Sequence, residues 1–246
     1  MAKNRDVFRR YEKKYILDEA QYLALRRALM DHMHEDEYGL GTVVSLYYDT
    51  ADFTLIRASI ERPVYKEKLR LRSYGTPNDS DTVFIELKKK YRGVVFKRRF
   101  GVSLEEARRY LAGGSVPAVS PEETQIVRET DWFLATHDVE PKSVISCDRR
   151  ALVGNDDAEL RITFDRSLRW RKTQLDLAFG DWGAPLLPGG TVMEIKTLGA
   201  MPLWLCELLS EVRAYPASIS KYGLCYKEDL MGDLLPQESK GGASCA

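Results

Sequence analysis

The segment Lys68-Leu-Arg-Leu-Arg72 places leucine and basic residues at alternate positions. Successive side chains of a β-strand point to opposite faces of the sheet. The two leucines therefore fall on one face and the three basic residues on the other. This pattern predicts a strand whose apolar face packs in a core and whose opposite face is strongly basic.

Five further segments alternate in the same way between an apolar face and a charged face. Their charged sets are Glu86 with Lys88, Lys97 with Arg99, Arg161 with Thr163 and Asp165, Glu194 with Lys196, and Arg10 with Glu12 and Lys14. A solvated sheet face usually mixes neutral polar residues with charges of both signs, paired across strands. The repeated basic faces favour a sheet whose charged side encloses a bound anion.

A solvated face on an open sheet is the simpler interpretation of any single strand, and it stays open at this point. Cations facing inward without partners would be costly to desolvate, and a bound polyanion would offset that cost. Phosphate suits such a cluster because Arg offers a planar fork and Lys a point charge. The acids on the same faces could form salt bridges, or could hold a hard cation such as Mg²⁺ or Mn²⁺ through oxygen ligands.

The composition excludes several classes of protein. The 246 residues include 37 basic and 37 acidic residues, and this balance argues against a general nucleic-acid-binding protein. Four cysteines without a CxxC pair, with only three histidines, argue against a zinc site and a disulfide framework. The first residues are charged and no apolar run approaches a membrane span, so we expect a cytoplasmic protein.

Period-2 alternation and capping signals predict the secondary structure. The predicted strands are Phe8–Leu17, Thr42–Asp49, Val64–Tyr74, Thr82–Lys90, Gly93–Val102, Val144–Leu152, Leu160–Asp165 and Thr191–Thr197, with Trp170–Phe179 as a further candidate. The predicted helices run from Asp18 to about His34, from Ser103 to Gly113, from Ser120 to about His137, from Leu203 to Val212, and from about Ser220 to Met231. Short connections between the strands predict an α+β fold, an antiparallel β-barrel with helices packed outside. Residues 1–235 are expected to form one domain and residues 236–246 a flexible tail.

Nine short motifs occur in order along the chain. They are Tyr11-Glu-Lys-Lys14-Tyr15, Leu46-Tyr-Tyr-Asp49-Thr50, Lys68-Leu-Arg-Leu-Arg72, Phe84-Ile-Glu-Leu-Lys88, Lys97-Arg-Arg99, Asp148-Arg149-Arg-Ala151, Leu160-Arg161-Ile-Thr-Phe-Asp165, Met193-Glu194-Ile-Lys196 and Ser220-Lys221-Tyr222. Over about residues 8–230 the ordered set resembles the VTC domain, the polyphosphate polymerase branch of the CYTH-like triphosphate tunnel metalloenzymes. The resemblance implies an antiparallel β-tunnel that grips the phosphates of ATP and of a growing inorganic polyphosphate chain.

The resemblance also implies roles for individual residues. The expected catalytic residues are Lys88, Arg161 and Lys221. The expected phosphate-binding residues are Lys14, Arg70, Arg72, Lys97, Arg99, Arg149 and Lys196, of which Arg149, like Lys221, rests on the resemblance alone. Glu194 is the expected ligand of Mn²⁺ or Mg²⁺; Glu12 is a second candidate that could equally form a salt bridge with Lys14 or Arg10.

Two positions depart from the family patterns. Triphosphatases of the CYTH type open with ExExK, and Arg10 stands at the first of those glutamates, which favours synthesis over hydrolysis. Ser218 stands where polymerases can carry another lysine, which weakens that preference. The expected function is a metal-dependent polyphosphate polymerase; a tripolyphosphatase or nucleoside triphosphatase, and a non-catalytic polyphosphate-binding module, remain alternatives.

The resemblance is to the stand-alone bacterial type of VTC protein. Eukaryotic relatives also carry an SPX domain and membrane helices, and neither is found in these 246 residues. Any connection to a membrane is therefore expected to require a separate membrane protein.

Overall fold

The computed structural model describes residues 11–61, 63–92 and 94–228, and the structural statements below refer to these. The strands are β1 Tyr11–Leu17, β2 Met33–Thr50, β3 Tyr65–Tyr74, β4 Thr82–Tyr91, β5 Val94–Ser103, β6 Val139–Gly154, β7 Arg161–Arg171, β8 Ala184–Pro185 and β9 Thr191–Thr197. The helices are α1 Glu19–Leu29, α2 Thr54–Ile60, α3 Leu104–Leu111, α4 Thr124–Thr136, α5 Leu203–Glu211 and α6 Lys221–Glu228. None of the described helices is both long and apolar enough to cross a membrane.

All of these strands belong to one antiparallel sheet, in the spatial order β1-β9-β7-β6-β2-β3-β4-β5, with the short β8 paired to β7. The predicted α+β class is confirmed. The sheet curls, but within the described residues no ladder joins the edge strands β1 and β5. A side-chain contact spans the opening, because Lys88 Nζ on β4 lies 3.5 Å from Glu12 Oε1 on β1.

The convex face of the sheet carries two apolar cores beneath the helices. One core packs Leu69 and Leu71 of β3 with β4 and β5 against α3 and α4. The other packs Ile162 and Phe164 of β7 with β1 and β9 against α1 and α5. Since these leucines of β3 and the apolar pair of β7 face the convex cores, the alternate, charged positions of the same strands face the concave side, as the alternation predicts.

A third apolar cluster lies on the concave side and holds α2 and α6 at one end of the sheet. The ring of Tyr222 on α6 stacks on that of Tyr47 with centroids 4.8 Å apart, and its hydroxyl donates to Asp49 at 3.1 Å. The same carboxylate accepts the backbone N–H groups of Leu55 and Ile56 at the start of α2. These contacts bring the N-terminus of α6, with Lys221, against the inside of the sheet.

Several element boundaries differ from those predicted. The helix that follows Asp18 ends at Leu29 instead of His34, because β2 already begins at Met33. The helix predicted from Ser120 begins at Thr124, and the Ser120–Glu123 contact closes a turn before it. Helix α2 was not predicted. The capping box at Ser103 is confirmed.

The candidate strand Trp170–Phe179 is wrong beyond Arg171, where β7 ends. The Arg171 guanidinium donates to the carbonyl oxygens of Gln174, Asp176, Gly180 and Trp182, which folds this segment into a compact loop. Residues 177–179 form a single 3₁₀ turn within it. The predictions for residues 1–10, including Arg10, for the helix end at Met231 and for the tail 236–246 lie outside the described residues.

Candidate active site

Strands β3, β4 and β5 carry the densest set of charges on the concave face. Their register places Arg70 opposite Glu86 and Glu86 opposite Arg99. One step along the same face, Lys68 lies opposite Lys88, which lies opposite Lys97. Charged side chains therefore stand in two rows across three strands, and only one of them is an acid.

That acid, Glu86, is 1% exposed and has four cationic neighbours. Its Oε2 accepts from Arg70 Nε at 2.6 Å and lies 3.6 Å from the Arg72 guanidinium. Its Oε1 lies 2.7 Å from Lys97 Nζ and 3.9 Å from the Arg99 guanidinium. Burial alone would raise the pKa of Glu86, but Arg70, Arg72 and Lys97 hold it well below its usual range. One ionised carboxylate thus faces four cations, which leaves this cluster with an excess of positive charge.

The concave face holds a second buried carboxylate, Asp165 on β7. The Arg149 guanidinium donates two hydrogen bonds to this carboxylate, from Nε to Oδ1 at 2.6 Å and from Nη2 to Oδ2 at 2.8 Å. Lys221 Nζ also donates to Oδ2. Burial opposes ionisation, yet Lys221 and Arg149 hold the pKa of Asp165 far below its usual range. The Lys221 ammonium also lies 3.4 Å from the buried Cys147 Sγ. Both residues that the sequence assigned by resemblance alone therefore lie on the concave side.

A third charged group lies on the edge strand β1 and its neighbour β9. Glu194 Oε1 lies 2.7 Å from Lys196 Nζ, and its Oε2 lies 3.7 Å from Lys14 Nζ. Lys14 is also 3.2 Å from Glu12, which places this ammonium between two carboxylates. Despite burial, Lys196 and Lys14 lower the pKa of Glu194 strongly, so the carboxylate is ionised.

These carboxylates determine how a metal could be held. The described residues contain no cluster of three or more His, Cys, Asp or Glu side chains. Glu194 and Glu12 supply hard oxygen donors, but a divalent cation beside them would take most of its ligands from phosphate and water. Such sparse protein coordination suits Mg²⁺ at a phosphate site.

Arg161 lies at the rim of the concave face. It is opposite Lys196 in the β7–β9 register, its side chain is 44% exposed, and it pairs with Asp36 of β2 at 3.2 Å. Arg99 is also partly exposed and stacks on the Phe84 ring, with its guanidinium carbon 3.6 Å from the ring centroid. The predicted site residues thus share one face, with Arg161, Lys97 and Arg99 at its more open parts.

Lys68 is a half-buried residue of this face that was not among the predicted site residues. Its ammonium donates to the Ser220 hydroxyl at 3.1 Å and, in the described part of the chain, forms no ion pair with a carboxylate. Burial first, and then the nearby Lys66, Lys14 and Lys88, lower its pKa to about 7, while Asp49 opposes the shift. The alternation that begins at Lys68 was the sequence signal for it.

The curled antiparallel sheet with a cationic concave face defines a triphosphate-tunnel type of fold. The VTC domain model matches residues 9–228, and the chain belongs to the VTC domain family. A comparison with curated proteins finds no significant match in sequence.

Two of the solved structures that share this fold are similar over most of the chain. A candidate adenylate cyclase from Bacillus halodurans superposes with a TM-score of 0.53 at 14% identity, over 85% of this chain and 92% of that one. A candidate adenylyl cyclase from Hippeastrum, with a dominant triphosphatase activity, superposes with a TM-score of 0.51 at 17% identity, over 92% of this chain and 98% of that one. At these identities the likeness concerns the fold alone.

The Glu86 cluster predicts a ligand-dependent stability. We expect Glu86→Gln to lower the free energy of unfolding of the ligand-free protein by about 3–5 kcal/mol, because the largely buried Arg70 and Arg72 lose their counter-charge. Tripolyphosphate should restore part of this loss. Urea denaturation with and without tripolyphosphate measures both effects, and Glu140→Gln, at a largely exposed carboxylate, should change stability by less than about 1 kcal/mol. A Glu86→Gln protein as stable as the wild type would contradict the assigned role of Glu86.

Lys68 predicts that anion binding is coupled to proton uptake. At pH 8 its pKa of about 7 leaves it mostly neutral, and a bound polyanion would raise that pKa and draw a proton. Titration calorimetry in buffers of different ionisation enthalpy measures the uptake. Lys68→Met should reduce it, with the remainder from Lys97, whose pKa is lowered to about 8 by burial against the pull of Glu86. Lys89→Met, which removes the partner of Glu129 on the convex face, should leave it unchanged.

The same pKa shift affects the stability of the ligand-free protein. Between about pH 7 and the ordinary pKa of lysine, the unfolded chain binds the Lys68 proton and the folded chain does not. The contribution of Lys68 to stability therefore rises with pH across this window. Equal slopes of unfolding free energy against pH in wild type and Lys68→Met would contradict this prediction.

Proposed function

We propose that the protein is a polyphosphate polymerase that transfers the γ-phosphoryl group of ATP to a growing inorganic polyphosphate chain on the concave face. The observation that carries this proposal is the Glu86 cluster, in which four cations share one buried carboxylate. A linear chain of phosphates supplies the repeated negative charge that such a surface needs. Membership of the VTC domain family supports the same substrate class.

The proposed roles follow from where each side chain lies. Lys14, Arg70, Arg72, Lys97, Arg99, Arg149 and Lys196 bind phosphate oxygens. Lys88, Arg161 and Lys221 contact the reacting phosphoryl groups, on which negative charge redistributes during transfer. Fixed cations stabilise such charge without reorganising, which is the main requirement of phosphoryl transfer.

The transfer needs no protein nucleophile. A terminal oxygen of the polyphosphate chain forms the new P–O bond to the γ-phosphorus of ATP, and the bond to the leaving ADP breaks. Because the attacking oxygen is already an anion at neutral pH, the protein has to position the reactants and balance their charges.

A divalent cation, Mn²⁺ or Mg²⁺, would supply positive charge against the negative charge that develops on the phosphates during transfer. We propose that Glu194, helped by Glu12, holds it. In the ligand-free protein both carboxylates contact lysine ammonium groups, which are flexible point charges. Lys14 and Lys196, released from these carboxylates, would contact phosphate oxygens.

The second candidate function is a metal-dependent tripolyphosphatase or nucleoside triphosphatase. The fold shared with the Hippeastrum protein, which has a dominant triphosphatase activity, supports this candidate. A non-catalytic polyphosphate-binding module is the third. In each case we expect the protein to act in the cytoplasm on soluble phosphates, without nucleic acid, and to reach a membrane through a separate membrane protein.

An elongation assay tests the proposed polymerase. Purified protein with ATP, Mn²⁺ or Mg²⁺ and a short polyphosphate primer should make longer chains, with one ADP released per phosphate added. Lys88→Ala and Arg161→Ala should each lower kcat/KM by about 100-fold, because charge stabilisation of the transition state is lost. Arg98→Ala, at a convex-face arginine paired with Glu129, is the matched control and should keep full activity.

Each outcome of this assay selects one function. Phosphate release without chain growth selects the hydrolase, and tight binding without turnover selects the binding module. Full activity in both Lys88→Ala and Arg161→Ala would reject the proposed catalytic roles.

Glu194→Gln tests the proposed metal ligand. The neutral amide keeps the size of the side chain but is a poorer ligand for a hard cation. We expect the metal concentration for half-maximal activity to rise about 10-fold or more, with a smaller effect on ATP binding. Metal titration of the activity measures this shift, and an unchanged titration curve would count against the ligand role.

A further inference from the structure

Thr163 has a buried hydroxyl group that forms no hydrogen bond with the charged side chains described on the concave face. The residue lies on β7 between Arg161 and Asp165, on the same face as both, and is 7% exposed. Its Oγ1 is fully buried and has no hydrogen-bond partner among the described residues. Buried hydroxyl groups are rarely left in this state, because losing water without a replacement partner is costly.

The neighbours of Thr163 explain why its hydroxyl has no partner. Across the sheet it faces Glu194 of β9 on one side and Ala151 of β6 on the other. The Glu194 carboxylate is engaged by Lys196 and Lys14, and the methyl group of Ala151 offers no polar atom. The next residue along the same face, Asp165, is held by Arg149 and Lys221.

We infer that Thr163 is a further ligand-binding residue, whose hydroxyl is exposed when the side chains around Glu194 move aside for the ligand and then donates a hydrogen bond to a phosphoryl oxygen of the bound phosphate chain. This inference rests on the proposed function for its substrate class. Among the surrounding cations, which bind phosphate by charge, a hydroxyl adds a short-range directional contact. The acceptor it lacks in the ligand-free protein is the kind of atom that every phosphate unit provides.

The alternative is that threonine occurs here only because β-branched residues favour strands. Valine has the same shape and an equal or greater preference for strands, so it separates the two interpretations. If the hydroxyl binds the ligand, it lowers the stability of the ligand-free protein, where it has no described partner, and strengthens binding when phosphate is present. Thr163→Val removes both effects. The substitution then has opposite effects on stability and on binding.

Thr191 provides a matched control within the same sheet. Its Oγ1 is also buried without a partner, but it lies opposite Leu17 on the face that packs in the convex core. Thr191→Val should therefore stabilise the ligand-free protein and leave phosphate binding unchanged.

The test measures tripolyphosphate affinity by calorimetry, in EDTA and in Mg²⁺, together with the thermal midpoint of the ligand-free protein. Thr163→Val should raise the midpoint and weaken binding about 10-fold in both conditions, since a hydrogen bond to a charged acceptor is lost. Thr163→Ser should bind like the wild type. If the valine variant does not fold, Thr163→Ala, which removes the hydroxyl without added bulk, should show the same loss of affinity.

Wild-type affinity in Thr163→Val would overturn the inference, and so would a loss seen only with Mg²⁺. A wild-type protein that binds tripolyphosphate but does not elongate chains would reject the polymerase and leave the role of Thr163 intact. A wild-type protein that does not bind tripolyphosphate would reject both.

Discussion

The ion cluster around Glu86 is the interaction on which the concave face depends. One strand on each side of Glu86 contributes two cations: β3 carries Arg70 and Arg72, and β5 carries Lys97 and Arg99. All four converge on this single buried carboxylate. This one negative charge lets the empty protein hold four cations close together, yet it neutralises only a fraction of them. The same contact therefore keeps the phosphate-binding groups in place and leaves them with an affinity for anions.

Four acids of the charged part of the concave face, as far as the structure describes it, differ in their partners. Glu86 and Asp165 are fully buried and gripped by arginine, which stays charged and binds a carboxylate through a rigid fork. Glu12 and Glu194 contact only lysines in the described structure, through single ammonium groups on flexible stems. The sequence left open whether these acids form salt bridges or bind a metal. The arginine contacts give Glu86 and Asp165 a structural role. The lysine contacts of Glu12 and Glu194 are easier to replace, so these two acids are better suited to exchange a lysine for a metal ion.

Alternation in the sequence was sufficient to predict which charged residues share the concave face, because in these segments one face is apolar and packs in a core while the other is charged. It identified Lys68 and Thr163 on that face, although neither was assigned a role. Contacts between distant segments could not be predicted in this way. Helix α2 begins where the Asp49 carboxylate accepts hydrogen bonds from two of its backbone N–H groups. Strand β7 ends where the Arg171 guanidinium donates to backbone carbonyl groups of the following loop. Whether the sheet closes into a barrel likewise depends on the twist and curl summed over all of its strands, and alternation within single strands does not predict that sum.

Because no backbone ladder joins β1 and β5 in the described part of the chain, the curled sheet can widen at this opening without breaking strand pairing. A closed barrel could widen only by breaking a ladder of backbone hydrogen bonds. Here the contact identified across the opening is the partly exposed ion pair of Lys88 and Glu12, and parting such a pair costs on the order of 1 kcal/mol or less. Thermal motion is sufficient for a change of that size. The bore can therefore adjust its diameter along one seam, while the arginine-bound carboxylates Glu86 and Asp165 keep their geometry because each is held by hydrogen-bonded neighbouring strands.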